Sequence, residues 1–289
     1  MKESQVWKSE QARRTVLAAY EEVLRSWPLP IDRLTLGTKA GETRVLAFGQ
    51  PGDSPLVLLH GAGSNSSMWR GEALGLAQGR RVYAVDLIGE PGFSAETRLP
   101  TADLGMAEWL GELLAALAST EGWGGKRPLI LGLSLGGWLA LAYAIRFPEA
   151  VAGLVLLCPS GLSRPRRGFL AKAIMAGFRG RAGLRMLSAS LYGDFPPLAE
   201  ALDFGVRLSE CTKPRLGEIY RFTDGELGGL SIPVYLAVGD KDVMLDSRAS
   251  AERLSALCRE AKIETVAGGG HVFLGHCSPL PEMIEALGP

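Results

Sequence analysis

A serine with glycine two residues to either side, Gly132-Leu133-Ser134-Leu135-Gly136, follows the apolar run Pro128–Leu131 and precedes the helical pattern Trp138–Ile145. In a strand–turn–helix setting that spacing has a mechanical meaning. The chain must reverse so tightly that strand and helix backbones nearly touch, only small residues permit this, and the serine oxygen is left projecting above the sheet. A serine hydroxyl is a poor nucleophile near neutral pH and needs a base to take its proton. The chain has three histidines. His60 closes the first buried run and belongs to a separate turn, while His276 stands near the start of the last helical pattern and reads as a surface or supporting residue. His271 follows Gly268-Gly269-Gly270 in a loop past the last apolar run, and it is the candidate base.

The base in turn needs an acid to fix its tautomer and stabilise the imidazolium. Gly239-Asp240-Lys241-Asp242 follows the apolar run Val234–Val238 and offers Asp242, with Asp240 reading as a turn-former and Asp246 as a competitor. The order Ser134, Asp242, His271 is then nucleophile, acid, base. The chemistry also needs two N–H donors for the developing oxyanion. The amide of Leu135, directly after the serine, is one candidate; the amide of Ala62, in the glycine-rich turn His60-Gly61-Ala62-Gly63, is the other. His60 itself is expected to hold that turn by a local hydrogen bond. His271, His276 and Cys277 match no standard zinc spacing, so the sequence predicts no metal. The mechanism calls for no cofactor.

These groups must be carried by rigid elements, and the sequence supplies them. Short apolar runs recur at Leu56–Leu59, Val82–Val85, Leu129–Leu133, Gly153–Leu157 and Val234–Val238, with a less apolar one at Lys262–Val266. Helical patterns such as Leu104–Ser119, Gly137–Arg146 and Arg248–Arg259 alternate with them. Runs without polar alternation are strands buried on both faces, and their alternation with helices predicts an α/β fold with a mostly parallel sheet. Ahead of them lie an amphipathic helix capped by Ser9 and ended by Trp27-Pro28-Leu29-Pro30, within residues 1–30, and a hairpin of Arg33–Thr38 with Thr43–Phe48. Residues 31–160 and 230–289 read as the core and 161–229 as an inserted helical cap, because the rhythm of strands breaks between Gly161 and Gly229. The insertion carries Arg164, Arg166, Arg167, Lys172, Arg179, Arg181 and Arg185 among apolar residues with no intervening acid. It is expected to be an amphipathic helix pair, apolar face inward and basic face in water. The sharper alternatives are an anionic substrate or attachment to a lipid surface.

Composition bounds the class. The chain has 289 residues, 47% apolar and 21% charged, with 31 basic against 31 acidic side chains. That balance excludes disorder and offers no global field for nucleic acid. The four cysteines form no CxxC pair and read as free thiols of a reducing compartment. Leu129–Ile145 is uncharged and long enough to imitate a membrane span, but Gly132, Ser134, Gly136 and Gly137 interrupt it. With no apolar run behind the charged N-terminus, no secretory signal is expected, which points to the cytoplasm.

The His60-Gly61 turn, Asp86, the Ser134 turn, the Gly-x-x-Asp at 239–242 and Gly270-His271 together resemble the α/β-hydrolase superfamily over residues 45–287. The segments Asp86-Leu87-Ile88-Gly89-Glu90-Pro91-Gly92-Phe93-Ser94 and Phe222-Thr223-Asp224-Gly225-Glu226-Leu227 are similar to those of bacterial carboxylesterase-type members with a helical cap. The resemblance implies a serine hydrolase acting on a small to medium ester through an acyl-enzyme, and the apolar cap suggests an apolar one. Thioesters, lactones, amides and carbon–carbon bonds, or low-turnover binding of a small ligand, remain open with the same residues.

Overall fold

The computed structural model describes residues 4–52, 54–166, 168–274 and 280–287. Asp32–Thr38 (β1) and Gly41–Gly49 (β2) form an antiparallel hairpin, and β2 pairs antiparallel with Arg81–Val85 (β4). From there Leu56–Leu59 (β3), Leu129–Leu133 (β5), Gly153–Leu157 (β6), Val234–Gly239 (β7) and Ala261–Val266 (β8) are parallel. The sheet runs β1-β2-β4-β3-β5-β6-β7-β8. Each apolar run of the sequence is one of these strands. The less apolar run is the edge strand β8, where Lys262 and Thr265 are exposed.

Alternate side chains of each strand go to opposite faces. Val57 and Leu59 join Tyr83, Val85, Ile130, Leu154 and Leu156 in one buried cluster; Leu56 and Leu58 join Val82, Ala84, Leu131 and Val155 in the other. The period-two geometry of a strand therefore makes a continuous apolar run the only solution for a sheet covered on both sides. Gly105–Glu121 (α3) and Leu135–Arg146 (α4) cover the first face, α4 being buried from Leu135 to Ala144. The second face is covered by Glu10–Arg25 (α1), the short turn Ala73–Leu76 (α2), Trp69 and Leu280–Glu285 (α10). Ser9 caps α1 through the Ala12 N–H, as the sequence predicts.

Between β6 and β7 lie Phe169–Phe178 (α5), Gly180–Ser190 (α6), Ala199–Cys211 (α7) and Asp224–Gly228 (α8); Ser247–Leu257 (α9) follows β7. Thr223 and Glu226 close a reciprocal capping box at α8, which gives the Phe222–Leu227 motif a structural role. The expected inward apolar face is not what α5 has. Ala176 is its only buried residue, while Leu170, Ile174, Met175 and Phe178 are exposed. The helix packs mainly on α6 rather than on the sheet, so only a narrow arc of it finds a partner.

A buried carboxylate organises the loop after β4. Asp86 Oδ1 accepts from Tyr20 Oη and from the Ser66 N–H, both at 2.9 Å, and Oδ2 accepts from the Phe93 N–H at 2.9 Å. One side chain thus joins α1, the turn after β3 and the 86–94 loop. Replacing Tyr20 by Phe removes the only side-chain donor to this buried charge among the described residues and should cost about 1.5–3 kcal/mol. Urea unfolding should show a lower midpoint at unchanged slope; an unchanged midpoint would remove this role from the contact.

Candidate active site

The site is assembled where parallel strands end, the edge at which open α/β sheets bind ligands. At the end of β5 the chain turns at Ser134, whose φ of 53° is one of two positive values among described non-glycine residues. Hydrogen bonds fix this conformation: Ser134 N donates to the Leu157 carbonyl at 2.9 Å, and its own carbonyl accepts from Trp138 N and Ser160 N. The glycines explain themselves by distance. A Cβ on Gly132 would lie 2.4 Å from the Gly136 carbonyl oxygen, and one on Gly136 would lie 2.1 Å from the Leu59 carbonyl oxygen. Neither neighbour is a side chain that can move aside.

His271 and Asp242 are 29 positions apart and meet in the fold. His271 Nδ1 lies 2.8 Å from Asp242 Oδ2, with both side chains buried. The other carboxylate oxygen accepts from Met244 N at 2.7 Å and Leu245 N at 3.0 Å. Burial works against the Asp242 charge, but the His271 hydrogen bond and charge, with the two amides, outweigh it and hold the carboxyl below its usual range. With Nδ1 so occupied, His271 Nε2 is buried and has no hydrogen-bond partner among the described residues. The glycine run before His271 lets backbones stack, since a Cβ on Gly270 would lie 2.3 Å from the Leu191 carbonyl oxygen. Asp246 is elsewhere: it caps α9 through the Ala249 N–H at 3.1 Å. Asp240 accepts from Gly268 N at 2.8 Å, joining the two turns that carry Asp242 and His271. His276 and Cys277 lie outside the described residues.

The His60–Gly63 turn approaches the serine: a Cβ on Gly61 would be 3.6 Å from Ser134 Cβ. Among the described residues no backbone partner engages the amides of Ala62 and Leu135. His60 Nε2 accepts from Leu87 N at 2.9 Å, which leaves Nδ1 to donate to the Gly61 carbonyl at 2.8 Å. The ring is a neutral strut in that turn.

Several residues that sequence reasoning did not single out support the site. Glu90 Oε2 accepts the Gly63 N–H at 2.6 Å, and Arg215 Nε lies 2.6 Å from its other oxygen. This pair is almost wholly buried, with side-chain exposures of 1% and 9%, and it joins the 161–229 segment to the turn carrying Ala62. Cys158, the other residue with positive φ, sits past β6 with Sγ 3.8 Å from the Gly270 carbonyl oxygen. Its sulfur, an Asp242 oxygen and a His271 nitrogen lie within 4.8 Å of one another. That trio resembles a metal half-site in composition alone. Burial and the Asp242 charge push the thiol well above its ordinary pKa, so it keeps its proton. No local pattern marks Arg215 or Cys158, and the 86–94 segment does not by itself single out Glu90, because their partners are distant in sequence.

The Alpha/beta hydrolase family profile matches residues 56–281. Carboxylesterase YbfK of Bacillus subtilis (strain 168) is 30% identical over 263 residues, covering 88% of this chain and 86% of the relative. The crystal structure of carboxylesterase CesB (YbfK) from Bacillus subtilis superposes with a TM-score of 0.78 at 25% identity, over 96% of this chain and 94% of that one. Naproxen esterase from Bacillus subtilis shares the fold, with a TM-score of 0.83 at 24% identity over 96% and 98% of the two chains.

Burial lowers the His60 pKa, against the raising effects of Asp86, the Gly61 carbonyl and Glu90. The unfolded state therefore binds more protons once pH falls below about 6.5, and stability should be full above that value and decline below it. Urea midpoints measured across this range should fall more steeply for the wild type than for His60→Gln; equal slopes would show that His60 does not contribute. The fold, the profile and the relatives agree: the chain belongs to the alpha/beta hydrolase family, as a carboxylesterase-type member.

Proposed function

We propose that the protein hydrolyses carboxylic esters through an acyl-enzyme on Ser134. The observation that carries this reading is the His271–Asp242 contact at 2.8 Å, with Nε2 of the same ring buried and without a partner among the described residues. A ring held at Nδ1 by a carboxylate keeps its lone pair on Nε2, the state required of a general base. Ser134 Oγ attacks the ester carbonyl as Nε2 takes its proton. The amides of Ala62 and Leu135 donate to the tetrahedral oxyanion, Leu135 with the added field of the α4 N-terminus. His271 then protonates the leaving alcohol, and the acyl group stays on Ser134. Water, deprotonated by His271, attacks the acyl carbon; collapse releases the acid and restores the serine.

The 161–229 segment acts in this reading as a cap. A cavity of about 430 Å³ lies beside Asp242, lined by Arg166, Phe169, Lys172, Asp240, Lys241, Asp242 and Val243. Its wall is more cationic than an apolar cap would suggest, with Phe169 and Val243 as the apolar part. The apolar preference for the ester therefore rests on these two side chains.

Ser134→Ala should leave the fold intact and lower kcat/KM by about 10⁴–10⁶, since members of such a triad act as a unit. Asp242→Asn should lose about 10⁴ in kcat, whereas Asp246→Asn should change turnover little and cost at most about 1–2 kcal/mol through its helix cap. Steady-state hydrolysis of p-nitrophenyl butyrate measures all three, and near-normal turnover by Ser134→Ala would end the proposal. Across p-nitrophenyl esters, kcat/KM should rise from acetate to the C4–C8 acyl chains. Activity confined to acetate would overturn the apolar preference while leaving the triad in place.

A further inference from the structure

At about 100° per residue, Leu170, Ile174, Phe178, Ala171 and Met175 sweep one continuous arc of α5, and Phe169, Ala173 and Ala176 occupy the opposite arc. The first arc faces solvent: Leu170 is 68% exposed, Ile174 52%, Met175 52% and Phe178 83%. Soluble monomers seldom leave a contiguous apolar face in water without a use for it. Beside this arc stand Lys172 and Arg179, seven residues apart and on one side of the helix. Neither has an acidic partner among the described residues. The cations of α6 differ, because Arg181 pairs with Glu210 and Arg185 with Asp203, both on α7.

Charge decides what can cover this face. No Asp or Glu occurs from Gly161 to Gly193. A second copy packed α5 against α5 would set cations against cations. An anionic bilayer supplies both the countercharge for Lys172 and Arg179 and an apolar phase for Phe178 and Ile174. We propose that α5 is an interfacial helix that docks the protein on anionic lipid, its Leu170–Ile174–Phe178 arc entering the headgroup boundary.

Cosedimentation with vesicles tests this without any turnover, so its failure is separate from failure of the esterase reading. At low salt the protein should bind phosphatidylcholine vesicles containing phosphatidylglycerol, bind pure phosphatidylcholine much more weakly, and be released by high salt. Arg179→Glu should lower the partition coefficient about tenfold or more, as a two-unit charge change near the surface. Phe178→Ser should lower it about tenfold through lost apolar burial. Both side chains are exposed, so each variant should keep wild-type p-nitrophenyl butyrate hydrolysis in solution, which also verifies its fold. No binding at low salt, equal binding to neutral vesicles, or binding that survives both substitutions would overturn the proposal. So would a dimer in sedimentation velocity that Phe178→Ser dissociates, since a second copy would then be the occupant.

Discussion

Ser134 can stand above the sheet only because three stretches of backbone pass at contact distance around it. The Leu59 carbonyl, the Gly132 backbone and the first turn of α4 leave no room for a Cβ at Gly132 or Gly136. The packing on both sides of the sheet serves this approach. Strand β5 lies between β3 and β6, whose ends supply the turn at Gly61 and the carbonyl of Leu157 that holds Ser134 N. Helix α4, buried along most of its length, cannot drift away from β5 to relieve the crowding. A positive φ at a serine is a local cost of roughly 1–3 kcal/mol, tolerable because so many contacts over-determine it. The same density that stabilises the core thus fixes where the hydroxyl points.

Electrostatics repeats that arrangement one layer out. Asp86, Glu90 and Asp242 are all carboxylates taken almost out of water. Each is satisfied by backbone amides together with one side chain: Tyr20 for Asp86, Arg215 for Glu90, His271 for Asp242. A buried charge left without partners is expensive, so each carboxylate acts as a rigid pin between chain segments far apart in sequence. The pins at Asp86 and Glu90 hold the turn beyond β3; the pin at Asp242 orients an imidazole.

Much of this was legible before the fold was known, for reasons of period and spacing. The strands could be read because burial on both faces demands uninterrupted apolar runs, and the turn at Ser134 because its glycines are forced by contact distance. Asp242 could be set before Asp246 only by its place just past a strand. The structure adds that Asp246 is spent on capping α9. What stayed hidden depends on tertiary pairing. Glu90 and Arg215 are 125 positions apart, and nothing local in either stretch names the other. The outward face of α5 was misread for a related reason. Amphipathic spacing says that a helix has an apolar side, and only the neighbouring elements decide whether that side is covered.

The 161–229 segment is stitched to the body of the protein at widely separated places. Lys8 N donates to the Cys211 carbonyl and Lys213 N to that of Val6, Arg215 reaches Glu90, and Trp138 Nε1 donates to the Tyr220 carbonyl. Swinging the whole segment outward as one plate would tear these seams together and strand a guanidinium and a carboxylate inside. Helix α5 is held less tightly, because it rests mainly on α6. Movement there would leave the stitched half in place, so any give in the segment belongs to α5 rather than to a hinge at its two ends.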